Sequence, residues 1–185
     1  MEDAEIIKLY FDRNQKAVKE TEEKYGRFCF SLANRILSSR EDSEECVNDT
    51  LLSAWNSIPP QKPNILRAFL AKITRNKALN RLKADNSIKR GNGEVDLIYE
   101  ELSECISDGR DMESELVAKE LGQAVRRFVA ELKERDGDIF TRRYFFMETV
   151  KDIAEGYGMT PGNVSVTLNR TRAKLKEFLE SQGLI

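Results

Sequence analysis

The sequence predicts an all-α protein built as two small helical domains joined by a flexible linker. Three observations carry that expectation. Apolar residues recur at helical spacing almost throughout, and no run alternates apolar and polar residues as a half-buried strand does. The four prolines, Pro59, Pro60, Pro63 and Pro161, fall where helical patterns stop or start rather than inside them. Between the two patterned blocks lies a stretch with Gly91, Gly93 and Gly109, which reads as a linker under the usual breaker chemistry.

Taken in order, Ala4 to Leu37 carries apolar residues at Ile6, Ile7 and Tyr10, then at Tyr25, Phe28, Leu32, Ile36 and Leu37. Two helices with a break near Asn14 account for them. Ser43 to Ile58 is a further helix, with Val47, Leu51, Ala54 and Ile58 recurring along one face. Pro59 and Pro60 end it, and Pro63-Asn64 opens a helix running to about Ala84. A second helical block begins near Met112 and continues to the end. The expected division is therefore a first domain at 1–85, a linker at 86–111 and a second domain at 112–185. A short apolar patch in the linker (Val95, Leu97, Ile98, Leu102, Ile106) is suited to docking on a neighbouring surface.

At 185 residues each domain is large enough to bury a core. No apolar run approaches the ~20 residues that span a bilayer, so membrane insertion is not expected. The three cysteines, Cys29, Cys46 and Cys105, are odd in number and unpaired in spacing, which fits a reducing cytoplasm. The chain has no histidine, the commonest general acid–base residue and metal ligand. No glycine-rich phosphate loop is present either. We therefore expect no enzyme, no catalytic residue, no metal site, no cofactor and no small-molecule substrate.

The net charge of −2 hides two opposed blocks. From Lys62 to Arg90 there are nine Lys/Arg against Asp85 alone; from Gly91 to Glu120 there are ten Asp/Glu against Arg110 and Lys119. Segregation of this kind suits one surface for a polyanion and another that must stay off it.

The stretch "DIAEGYGMTPGNVSVTLNRTRAKLKEFL" contains the most specific signal. Thr149 can cap a helix through Val150–Tyr157, and Gly158 supplies the left-handed residue that stops it. Thr160 then caps a second helix whose first-turn Pro161 has its φ preset. That spacing is a helix-turn-helix, whose second helix lies in the DNA major groove. Val164, Leu168, Thr171 and Leu175 form its core stripe, against Ile153, Ala154, Ile139, Phe140 and Tyr144. The opposite side carries Asn163, Ser165, Val166, Asn169 and Arg170, a set of small, amide and guanidinium side chains suited to base edges. Arg172, Lys174 and Lys176 extend toward phosphates.

Two earlier helices also have distinctive outer faces. On Ser43–Ile58, Glu45, Asn48, Asp49 and Leu52 stand opposite the core stripe, an acidic face with an apolar anchor that suits protein docking. The next helix is basic, with Arg67, Lys72 and Arg75 on it and Phe69 and Ile73 turned inward. Such a surface suits single-stranded or melting nucleic acid.

Together these residues resemble a known family. "DSEECVNDTLLSAWNSI" followed by "AFLAKITRNKALNRLK" is similar to region two of bacterial RNA polymerase sigma factors of the extracytoplasmic-function type. "IFTRRYFFMETVKDIAEGYGMTPGNVSVTLNRTRAKLKEFL" is similar to their region four. The resemblance covers nearly all the chain outside the linker. It implies a subunit that gives core RNA polymerase its choice of promoter DNA and assists promoter melting. Glu45, Asn48, Asp49 and Leu52 match the face that binds the polymerase clamp. Lys62, Arg67, Lys72, Arg75, Asn76 and Asn80 are the expected minus-ten element contacts. Asn163, Ser165, Val166, Asn169, Arg170, Arg172 and Lys174 are the expected minus-thirty-five contacts. An anti-sigma factor is a further partner that the family commonly has. Departures are local: Asn48 stands where many relatives carry glutamine, and Ser165 where a basic residue is usual. The rival expectation is a freestanding helix-turn-helix regulator that binds an operator without polymerase.

Overall fold

The structure of the protein is a computed structural model, and the residues it describes are 1–84, 97–98, 100–103 and 115–185, with the backbone alone for 83 and 115–119. The chain divides into two compact units, Met1–Gly93 and Glu94–Ile185. Among the described residues every regular element is a helix, as the periodicity predicts.

The first unit holds α1 (Asp3–Phe11), α2 (Lys16–Leu37), α3 (Arg40–Ser57) and α4 (Leu66–Ala84). The break expected near Asn14 is the α1–α2 junction. Helix α3 starts ahead of Ser43 because Ser39 is its cap, accepting from the Asp42 amide at 3.3 Å. Ser38 just before it is left-handed at φ 52°, so the α2–α3 connection turns within two residues. Helices α2, α3 and α4 pack on one another in pairs, and α1 lies on α2. Ile6, Tyr10, Cys29, Val47, Leu51, Ala54, Ile58, Leu66 and Leu70 share the core. The α3 stripe read from the sequence is the stripe that is buried.

The buried hydroxyls of this core are paired, which desolvation requires. Tyr10 Oη lies 2.9 Å from Thr21 Oγ1, and Thr21 donates to the Ala17 carbonyl. Thr50 of α3 meets Thr74 of α4 at 3.2 Å, and each hydroxyl also bonds a carbonyl of its own helix. Cys29 and Cys46 are buried free thiols, and burial pushes both up in pKa, Cys46 to about 11. A thiol so held is protonated and unreactive at neutral pH. Cys105 lies outside the described residues.

The second unit holds α5 (Glu115–Glu131), α6 (Glu134–Tyr144), α7 (Val150–Tyr157) and α8 (Pro161–Ser181). Residues 97, 98 and 100–103 are helical as well and belong to this unit, although they fall within the stretch expected as linker. Ile98 of that stretch is buried, while Leu97 is exposed. The remaining linker residues named from the sequence, Gly91, Gly93, Val95, Ile106 and Gly109, lie outside the described residues.

Phe128, Phe140, Tyr144 and Phe178 form an aromatic cluster with successive ring centroids 4.6–6.2 Å apart. Ile139, Ile153, Ala154, Val164, Leu168, Leu175 and Leu179 complete the core. At Gly137 an added Cβ would lie 3.3 Å from the Val129 carbonyl oxygen, so glycine is what lets α6 approach α5 this closely.

Burial along α8 gives a direct test of the packing. Leu168→Ala should lower the unfolding free energy by about 2–5 kcal/mol, as for other core leucines. Val166→Ala, two residues earlier and half exposed, should change it by about 0.5 kcal/mol or less. Urea denaturation followed by circular dichroism measures both, and equal losses would contradict the assigned rotation of α8.

Candidate nucleic-acid interface

The turn between α7 and α8 is built from the residues that predict it. Thr149 Oγ1 accepts from the Asp152 amide at 3.0 Å and opens α7. Gly158 closes it at φ 62°, a left-handed conformation that costs glycine nothing. Thr160 Oγ1 accepts from the Asn163 amide at 3.2 Å, and Pro161 occupies the first turn of α8. Met159 is half-buried between the two helices.

The stripe Val164, Leu168, Thr171, Leu175 and Leu179 is buried, which turns Asn163, Val166, Asn169, Arg170 and Lys174 to the exposed face. Val166, at 50% exposure, is a large apolar side chain left open in the middle of that face. Ser165 is half-buried at its edge. Thr167 is turned back on its own helix, donating to the Asn163 carbonyl at 2.9 Å.

Arg172 sits differently from the other expected contacts. Its side chain is only 16% exposed, and Nη1 lies 2.8 Å from Tyr144 Oη and 3.3 Å from Glu101 Oε2. Nη2 donates to Asn169 Oδ1 one turn back. Arg143, fully buried, donates to both Glu101 oxygens and to the Glu148 carbonyl. Tyr144 Oη donates to Glu101 as well. Burial opposes ionisation of Glu101, but Arg143, Tyr144 and Arg172 outweigh it and hold the carboxyl below the usual range. The same burial, with Glu101 alongside, pushes the Tyr144 hydroxyl far up. Next to this cluster, Arg142 pairs with Glu148 at 2.7 Å, so two consecutive arginines fix the connection leading into α7.

On the first unit, Lys62, Arg67, Lys72, Asn76 and Asn80 are exposed and Arg75 is half-buried. Lys72, Asn76 and Asn80 repeat every fourth residue and form one face of α4. Arg67 stacks on the Phe28 ring at 4.4 Å. The four residues expected on the docking face of α3 divide into two pairs. Glu45 and Asp49 turn to α4, where they meet Arg81 at 2.6 Å and Lys77 at 3.7 Å. Asn48 and Leu52 instead line an open groove of about 420 Å³ with Gln15, Val18, Glu22, Leu51 and Trp55. The α2 wall of this groove and Trp55 are not among the residues the sequence pattern singles out. Nor is Glu101, one acid among the many between residues 91 and 120.

Two family models match this chain. Sigma-70 region 2 matches residues 23–88, and Sigma-70 region 4 matches residues 122–175. The chain belongs to the sigma-70 family. Regions 2 and 4 together are the organisation of the extracytoplasmic-function type that the sequence resembles. It is accordingly a sigma factor with a role in transcription initiation, a DNA-binding family, and α7–α8 has the form of a helix-turn-helix. Sigma factors are not enzymes. Among solved structures, one titled "Structure of CnrH in complex with the cytosolic domain of CnrY" is similar at 18% identity and a TM-score of 0.45, over 97% of each chain. No curated protein matches the sequence. Among the described residues, no helix is long and apolar enough to cross a membrane.

Two measurements check this geometry. Arg170→Ala should cost about 1–3 kcal/mol and relax specificity at one promoter position, whereas Lys176→Ala should weaken binding evenly across sequences. Quantitative binding to a panel of single-base promoter variants separates the two, and equal, sequence-independent losses would remove Arg170 from base reading. Glu101 also predicts a pH dependence. Because its folded pKa is lowered, its stabilisation is present above the ordinary glutamate value of about 4.3 and is lost as pH falls through the folded pKa. Urea midpoints measured from pH 7 downward should therefore drop steeply below about pH 4.3 in the native protein. They should drop less steeply in Glu101→Gln.

Proposed function

We propose that the chain carries bacterial core RNA polymerase to promoters by three separate surfaces. The exposed face of α8 (Asn163, Ser165, Val166, Asn169, Arg170 and Lys174) enters the major groove of the minus-thirty-five element. The face of α4 with Lys72, Arg75, Asn76 and Asn80, together with Lys62 and Arg67, follows the minus-ten strand as it separates. The α2–α3 groove around Asn48 and Leu52 docks on the polymerase clamp, and the reaction takes place in the cytoplasm, where the polymerase works.

The observation that carries this reading is the split of α8 into a fully buried stripe and an opposite face of small, amide and guanidinium groups. An exposed Asn can donate and accept at a base edge, an Arg can take guanine in two bonds, and Val166 is suited to a thymine methyl. The α4 face adds positive charge beside amides, which suits a strand whose bases are leaving the stack. Glu45 and Asp49 contribute differently. Their pairing with Arg81 and Lys77 trims the positive charge of α4 near its C-terminal half, and leaves Asn48 and Leu52 as the groove's own contacts. An anti-sigma factor that occupies the groove or the α4 face would block these steps, and the family resemblance is what suggests such a partner.

Leu52→Glu tests docking. Leu52 is 59% exposed, so the change should alter stability by about 0.5 kcal/mol or less while adding a charge that docking must desolvate. The variant should stay folded by circular dichroism, fail to co-elute with core polymerase and support no promoter-specific transcription. A folded variant that co-elutes and transcribes normally would remove the groove from the docking surface. A native protein that occupies its DNA site without polymerase would favour a freestanding regulator.

A further inference from the structure

Glu101 lies outside both segments matched by the sigma-70 region models, yet it is wired into the recognition helix. Its two oxygens take the buried Arg143 guanidinium at 3.3 and 2.9 Å. Oε2 also accepts from Tyr144 Oη at 2.8 Å and pairs with Arg172 Nη1 at 3.3 Å. From there the chain of contacts reaches the exposed face. The same Tyr144 hydroxyl accepts from Arg172 Nη1, and Arg172 Nη2 donates to Asn169 Oδ1. Arg143 and Tyr144 are on α6, Arg172 and Asn169 are on α8, and Glu101 is in the preceding helical segment.

An asparagine on a recognition helix has two ends that differ in meaning. Its carbonyl accepts, its amide donates, and rotation about the last bond exchanges them at little cost. Which end faces the base decides what is read. A donating end fits the acceptors of guanine O6 and N7, adenine N7 and thymine O4; cytosine offers only a donor. In this chain the exchange is blocked from behind. A guanidinium has no acceptor, so Arg172 can hold only the Oδ1 end of Asn169. Arg172 is itself held by a carboxylate and a hydroxyl, and charge-assisted bonds of this kind are the stronger ones.

Resting on the reading that α8 enters promoter DNA, we propose that Glu101 is a specificity-positioning residue for promoter recognition. Through Arg172 and with Tyr144, it fixes the amide of Asn169 so that the Nδ2 end faces the base. The position opposite Asn169 is then one that excludes cytosine on the strand it contacts. Glu101 has a second effect of opposite sign on affinity. By keeping Arg172 against Tyr144, it withholds one cation from the phosphates, so the helix gains discrimination and gives up some non-specific attraction.

The two effects predict a signature that loss of structure cannot imitate. Promoter fragments are first selected from a randomised duplex pool with holoenzyme made from the native chain and core polymerase. Binding to these fragments and to all single-base variants is then measured over a range of salt, for the native chain, Glu101→Gln, Tyr144→Phe and Arg172→Ala. Glu101→Gln should lose roughly tenfold discrimination at one base pair. At the same time it should bind unrelated DNA more tightly, with a salt slope steeper by about one. Arg172→Ala should lose the same discrimination with no gain in salt slope. Tyr144→Phe, which removes one hydroxyl and no charge, should lose discrimination at that same base pair, and it carries the test if Glu101→Gln unfolds. A partly unfolded protein would instead lose affinity for every sequence. If the native holoenzyme selects specific fragments and all three folded variants keep its base preferences, the relay is refuted while the DNA reading stands. If the native holoenzyme selects no sequence at all, the DNA reading fails and the relay falls with it.

Discussion

Everything the second unit can do depends on how α8 is rotated about its own axis. That rotation is set from two sides. Five residues at helical spacing, from Val164 to Leu179, are drawn into the core by the area they bury. At the helix start, Thr160 and Pro161 fix where the first turn begins, and Gly158 fixes the angle at which the chain arrives. A turn of ~100° per residue means that a shift of one position would bury Asn169 and expose Leu168. The opposite face is therefore a product of the core, and its chemistry is whatever the sequence places there.

The first unit follows the same economy with a different outcome. Three mutually packed helices and α1 can each bury one stripe, so their outer faces are left for partners. On α3 that outer face is divided again. The acids that lean toward α4 are occupied by Arg81 and Lys77, and the amide and leucine that lean toward α2 become one wall of a groove. Charge that looks segregated along the chain is thus partly paired across helices. Lys72, Asn76 and Asn80 stand on an exposed face of α4 outside these pairs. A lysine beside amides suits a polyanion without holding it by sequence.

Much of the fold was legible because it is written in short-range signals. Caps, a left-handed glycine and a period near 3.6 are local, and the helix-turn-helix, the α1–α2 break and the α3 and α8 stripes all came from them. Long-range pairing left no such trace. Glu101 sits in a run of acids in which nothing distinguishes one from the next, and only the buried Arg143 of α6 gives it a role. Arg172 looked like a phosphate contact because helical angle places it near the exposed side; its length lets it fold back to Tyr144 instead. The groove was half visible. Leu52 and Asn48 stood out on α3, but the wall made by Gln15, Val18 and Glu22 belongs to another helix, and periodicity within α3 carries no information about it.

If the proposed function holds, the exposed face of α8 meets promoter DNA in the assembled polymerase. Photo-crosslinking measures this most directly. Benzoylphenylalanine is placed at Val166, which is exposed in the middle of that face, and the chain is assembled with core polymerase on a selected promoter duplex. The expected result is a crosslink to the upstream promoter element that an unrelated duplex does not give. A crosslink to polymerase subunits in place of DNA would contradict it, because the face would then be a protein contact.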